Sequence, residues 1–165
     1  LLPGLHEIEC HRMPLTSDRD VYLARGAVLR AGVLAEQVQN ARIIGQGILD
    51  GTTTPRDVGE NKGERMGEKW VDDAGREGFV CFHKGKNVTL DGPVIYNSEF
   101  WNIVVAGTVG ATIRNHKAIT WLQNTDGVRN VEGVCASVNN RFNHLYQKFS
   151  IRSPRIFWRK IYSIT

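Results

Sequence analysis

Short runs rich in Val, Ile and Thr recur in one pattern at intervals that settle near 20–23 residues, and together they predict an all-β chain wound as a right-handed parallel β-helix. Four stretches carry the pattern: residues 39–49, 86–95, 109–119 and 129–134. The copies start at Asn40, Asn87, Gly110 and Asn130, in steps of 47, 23 and 20. A small or branched apolar residue follows each start, then a polar residue, then Ile, Leu or an equivalent. A turn residue and a second short apolar stretch complete the first three copies, and the fourth is shorter. Because side chains alternate along a strand, Ile43, Leu90 and Ile113 are expected to point inward, with Leu90 and Ile113 one above the other. Asn residues at matching turn positions can stack as hydrogen-bonded ladders, a device a β-sandwich seldom repeats.

Taken in chain order, the segment Asp20-Val21-Tyr22-Leu23-Ala24-Arg25-Gly26-Ala27-Val28-Leu29-Arg30-Ala31-Gly32 supplies two strands around a Gly turn. The long step from Asn40 to Asn87 contains an insertion. Residues 51–78 open with Gly51-Thr52-Thr53-Thr54-Pro55, carry twelve charged residues and show no strand pattern. They predict a charged surface loop with one turn of helix near residues 64–70. Insertions in a solenoid emerge from one face, often the face that binds. After Val138 the Val and Ile periodicity thins, and residues 140–165 are expected to form a poorly packed basic end. All 165 residues are expected to belong to one domain.

Composition narrows the classes of function. Hydrophobic residues make up 41% and charged residues 23%, as in a folded globular protein. No apolar run approaches the roughly 20 residues of a membrane span. The net charge of +4 is a property of the C-terminal part. Residues 1–128 hold 14 Lys and Arg against 16 Asp and Glu, whereas residues 129–165 hold seven against the single acid Glu132. A basic end attracts anionic polymers, but no nucleic-acid-binding motif accompanies it, so neither nucleic acid nor a membrane is expected as a partner. Cys10, Cys81 and Cys135 fall in no C-x-x-C spacing, which removes zinc and thioredoxin-like readings and leaves open both one disulfide and three free thiols. The chain starts at Leu1 with no visible leader and is expected to be a processed product or a fragment.

Several motifs, in order, resemble a known group of enzymes. They are Val21-Tyr22-Leu23-Ala24-Arg25-Gly26-Ala27-Val28, Gly45-Gln46-Gly47-Ile48-Leu49-Asp50-Gly51, Asn87-Val88-Thr89-Leu90-Asp91-Gly92-Pro93 with Phe100-Trp101, and Asn124-Thr125-Asp126-Gly127. This series resembles the pectin-lyase-like β-helix hydrolases over roughly residues 15–160, in glycoside hydrolase families 28 (polygalacturonases) and 49 (dextranase and isopullulanase). The tail Val138-Asn139-Asn140-Arg141-Phe142-Asn143-His144-Leu145-Tyr146, followed by Ile156-Phe157-Trp158-Arg159, resembles family 49 and so favours an α-glucan such as dextran or pullulan over pectin. The resemblance implies an extracellular, metal-free and cofactor-free enzyme acting on a polysaccharide in an open groove. It also implies that this chain is an incomplete, N-terminal portion of such a helix, with an exposed end open to self-association.

Inverting glycosidases need one carboxylic acid to protonate the leaving oxygen and a carboxylate about 6.5–9.5 Å away to activate water. The resemblance implies three Asp: one in an Asn-Thr-Asp motif and two adjacent on the next rung. Asp126 matches the first, although Thr-Asp-Gly is also good turn chemistry. At the expected pair the chain reads Asn140-Arg141, an amide and a permanent cation. The only acid after Asp126 is Glu132. A non-catalytic carbohydrate-binding β-helix is therefore the rival to an active hydrolase. A calcium-dependent lyase would need acids clustered near Asp126, and none is there.

Asn124, His116, Lys117 and Trp121 are candidate sugar contacts, with His116-Lys117 also readable as a plain surface pair. Phe100 and Trp101 could stack on sugar rings or pack in turns. Cys81 and His83, two apart on one strand, could be nucleophile and base or a stacked pair in the wall. Asp72-Asp73 reads as a solvated pair in the charged loop.

Overall fold

The structure, a computed structural model, describes residues 1–54, 64–65, 68–69, 78–98, 101–120, 127–131, 134–139 and 150–151. Among these residues it is all-β, with no helix. In chain order the strands are β1 (Gly4–Pro14), β2 (Asp20–Leu23), β3 (Ala27–Glu36), β4 (Gln39–Gly45), β5 (Ile48–Asp50), β6 (Glu64–Arg65), β7 (Glu68–Lys69) and β8 (Val80–His83). They continue as β9 (Lys86–Asp91), β10 (Val94–Tyr96), β11 (Ile103–Ala106), β12 (Val109–Arg114), β13 (Lys117–Ile119), β14 (Val128–Val131), β15 (Val134–Asn139) and β16 (Ser150–Ile151).

Almost every pairing is parallel. One sheet has the order β15-β12-β9-β4-β2. A second runs β13-β10-β5-β3-β8-β11-β14-β16, with β1 also on β3. The long β3 is shared, since its Val28 and Leu29 pair with β5 while Val33 to Glu36 pair with β8. From β8 onward the chain lays down strands in threes. Strands β8, β9 and β10 pair with β11, β12 and β13, and β11 and β12 pair in turn with β14 and β15. The insertion departs from this arrangement: β6 and β7 pair antiparallel, where the sequence predicted a turn of helix.

The stacking puts equivalent residues over one another. Ile43, Leu90 and Ile113 are direct partners, and all three are fully buried. Ala41, Val88 and Ala111 form the next inward row, with Leu29, Leu49 and Ile95 on the neighbouring wall. These rows meet Val33, Val80 and Ile103 in one apolar core. Each such Leu or Ile contributes about 1.5–3 kcal/mol on burial, which pins the register, because a slip of one residue would turn every one of them outward.

Turn chemistry repeats with the same regularity. Asp18, Asn40, Asn87 and Gly110 all have left-handed backbone (φ 57, 51, 53 and 70) and lead into equivalent points of β4, β9 and β12 or the approach to β2. The amide of Asn40 donates to Asp18 Oδ1 at 3.0 Å, and that of Asn87 to Asn40 Oδ1 at 2.9 Å. Gln37, Lys84 and Gly107 (φ 53, 50 and 56) form a second such stack. Asn and Gly tolerate this conformation best, which is why they mark the repeat in the sequence. One start differs from the sequence reading. Val134 and Ala136 pair with Val109 and Ala111, so the position equivalent to Gly110 is Cys135. Asn130 instead lies within β14, paired with Val105.

Candidate functional site

Alternation leaves two rows of side chains on the outer side of β1, β3, β5, β10 and β13, because Leu29, Leu49 and Ile95 take the inner side. The first row holds Leu5, Val28, Ile48, Val94 and Lys117 as successive partners. In the second, Glu7 lies beside Arg30, Arg30 reaches Asp50, and Asp50 is partnered by Tyr96 and then Ile119. The Arg30 guanidinium donates to Glu7 Oε1 at 2.7 Å and lies 3.6 Å from Asp50 Oδ2. The hydrogen bond to Glu7 and the charge of Glu7, with a smaller contribution from Asp50, raise the Arg30 pKa further above its ordinary value. Asp50 Oδ1 also accepts from the Thr52 backbone N–H at 2.9 Å and from the Thr52 hydroxyl at 2.6 Å. This polar line, one rung per residue, offers hydroxyl-binding groups along the stacking axis. It carries no arrangement for proton transfer, since Asp50 is already engaged by donors.

Sequence reasoning did not single out this line. Arg30 and Asp50 are twenty positions apart, and the parallel pairing of β3 with β5 brings them together. Asp50 stood inside the quoted Gly-Ile-Leu-Asp-Gly motif, which was the available signal.

Of the residues chosen from sequence, Asn124, Asp126, Trp121, Asn140 and Arg141 lie outside the described residues, as do Phe100, Asp72 and Asp73. His116 and Lys117 are described, and they part company. Lys117 is exposed and donates to the Asn115 carbonyl at 3.2 Å. His116 is 3% exposed, so it is no surface partner for Lys117 and does not reach a ligand in this conformation. Among the described residues neither of its ring nitrogens has a hydrogen-bond partner. Burial, with the Lys117 charge second, pushes its pKa down to about 4.

Cys81 and His83 share the outer side of β8, in different surroundings. Cys81 is buried in an apolar cluster with Val104 and Ala106, against Leu34 and Trp101. His83 Nδ1 lies 3.4 Å from Glu36 Oε1, its partner one rung away. Trp101 is half-buried against that cluster, a packing role. Among the described residues no three His, Cys, Asp or Glu side chains gather as a metal site would require. Compared with protein-family models, curated proteins and solved structures, the chain matches none of them.

Proposed function

We propose that this chain is a length of right-handed parallel β-helix from the lineage of the family 49 and family 28 glycoside hydrolases, and that in this form it holds a polysaccharide without cutting it. One observation carries the reading. Strands recur in threes with Ile43, Leu90, Ile113 and Val138 in unbroken register. A winding chain produces such a register, and it leaves long, open outer faces suited to an extended polymer. The Asn124-Thr125-Asp126-Gly127 motif runs directly into β14, whose Val128 pairs with Ile103 and through it with Val80. That continuity supports Asp126 as the residue of this chain matched to a catalytic carboxylate, with Asn124, Lys117 and Trp121 as sugar contacts. Asn140 and Arg141 stand where a proton donor and its partner carboxylate are needed, so cleavage is impaired. The favoured ligand is an α-glucan, met outside the cell. The basic segment 129–165 favours a second ligand, the anionic polygalacturonate.

Affinity electrophoresis through dextran, pullulan and polygalacturonate, beside reducing-sugar assays on the same polymers, tests the reading. Retardation by at least one polymer without sugar release is the expected result. Sugar release by the unaltered chain would overturn the assignment of the missing pair. Free migration through all three would overturn polysaccharide binding itself.

A further inference from the structure

The sequence holds one Asn-x-Ser/Thr triplet, Asn87-Val88-Thr89, and its surroundings are those of a modification site. Along β9, Val88 and Leu90 are fully buried while Asn87 is exposed and Thr89 half-exposed, so the triplet's amide and hydroxyl both lie on the outer side. Asn87 sits at the corner between β8 and β9, where Lys84, Lys86, Gly107, Val109 and Gly110 are also exposed. The next rung places Gly110 over Asn87, and a Cβ built there would come no nearer than 3.7 Å, to the Asn87 backbone nitrogen. Gly110 thus brings no side chain of its own over this corner, and the Asn87 side chain is exposed. The Asn87 amide has two N–H groups, and the ladder bond to Asn40 Oδ1 uses one of them. Replacing the other by a carbon leaves that ladder bond intact.

We propose that Asn87 is an N-glycosylation site. It rests on the extracellular reading above and is independent of whether the chain binds or cuts a polymer. In the transfer, Asn87 Nδ2 bonds to the anomeric carbon of an oligosaccharide carried on a polyprenyl diphosphate. The bond from that carbon to the diphosphate oxygen breaks, the lipid diphosphate leaves with the electron pair, and one amide proton passes to a base of the transferase. Thr89 supplies the hydroxyl by which the transferase selects the asparagine. Asn87 lies on β9 of the five-stranded sheet, whereas Arg30 and Asp50 lie on β3 and β5 of the other sheet.

The test is translation of the full chain into microsomes behind an added leader, with a reporter triplet in an added C-terminal tail. Two glycans per chain are expected for the unaltered sequence and for Thr89→Ser. One is expected for Asn87→Gln and for Thr89→Ala. Enzymatic removal of the glycan should convert residue 87 to aspartate, visible as a mass change in the peptide spanning β9. A single glycan, at the reporter alone, on the unaltered chain overturns the proposal, as does retention of two on Asn87→Gln. The reporter glycan distinguishes a failed site from failed delivery, and neither outcome bears on polysaccharide binding.

Discussion

His116 shows how much one side chain can impose on this fold. It is buried with both ring nitrogens unpartnered among the described residues, and its folded pKa is about 4 against 6.5 for the free residue. The folded state therefore favours the neutral ring. Its contribution to stability is complete above about pH 6.5 and is lost as pH falls through the folded value. By linkage the loss across that window is about 3 kcal/mol. Urea unfolding midpoints should fall between pH 6.5 and 4, and His116→Phe should flatten that part of the profile. At neutral pH the same change should raise stability by about 1–3 kcal/mol, because it removes buried polar atoms that have no partner. A His116→Phe chain that is less stable at pH 7, or that keeps the full acid dependence, would show that the ring has a partner or that other groups govern the transition. Nothing in the sequence marked His116 for burial. A His-Lys dipeptide beside a turn reads as polar surface, and only the stacking of turns encloses it.

At the scale of elements, the corner stacks explain which parts of the repeat could be read and which could not. Asn40, Asn87 and Gly110 were legible because left-handed backbone restricts the residue types that fit, so a three-dimensional demand leaves a mark in one dimension. Asn130 misleads for the same reason. Asn-Val occurs at Asn87-Val88 and again at Asn130-Val131, but in the second case the Asn belongs to β14 and pairs with Val105 of β11, while the position equivalent to Asn87 and Gly110 is Cys135. Local pattern alone does not distinguish these. The antiparallel pairing of β6 and β7 was equally hidden, since Glu64-Arg65 and Glu68-Lys69 suit a helix as well as a hairpin.

The same stacks make a prediction about the ladder. It runs from Asp18 through Asn40 to Asn87 and stops, because Gly110 has no side chain to continue it. At Gly110 the backbone has φ of 70, which asparagine tolerates, and the added side chain meets only ordinary contacts. Gly110→Asn should donate to Asn87 Oδ1 and also restrict the unfolded chain, raising stability by about 0.5–1 kcal/mol. Gly110→Val puts a β-branched side chain in the same conformation and should cost about 1–3 kcal/mol. Both belong in a bacterial host, since the first change creates a new Asn-x-Thr triplet. Equal destabilisation by the two would show that the corner does not carry a ladder. A contrasting position is Gly45, where a Cβ would lie 2.0 Å from the Leu23 carbonyl oxygen. Gly45→Ala has no such compatible geometry and should disrupt the pairing of β2 with β4, which loss of protection at Val21 to Leu23 in hydrogen exchange would register.

For the whole molecule, stability follows position in the stack more than composition of any strand. In these parallel sheets, protection accumulates where both edges of a strand are paired. β9 is held by β4 on one side and β12 on the other, and β8 by β3 and β11. Among the described residues, β2 is paired only with β4, and β13 only with β10. Hydrogen exchange should therefore be slowest in β8 and β9 and faster in β2 and β13, although all four are short parallel strands. Leu90 tests the same logic through packing. It is fully buried with Ile43 on one side and Ile113 on the other, so Leu90→Ala opens a cavity against both neighbours and should cost about 2–5 kcal/mol. Because the loss falls at the middle of a continuous row, protection should drop together in β4, β9 and β12, while the paired outer line of Glu7 and Arg30 keeps its own. A drop confined to β9 would mean that the rungs are held by their turns and not by the shared apolar row, and the register would then need another source.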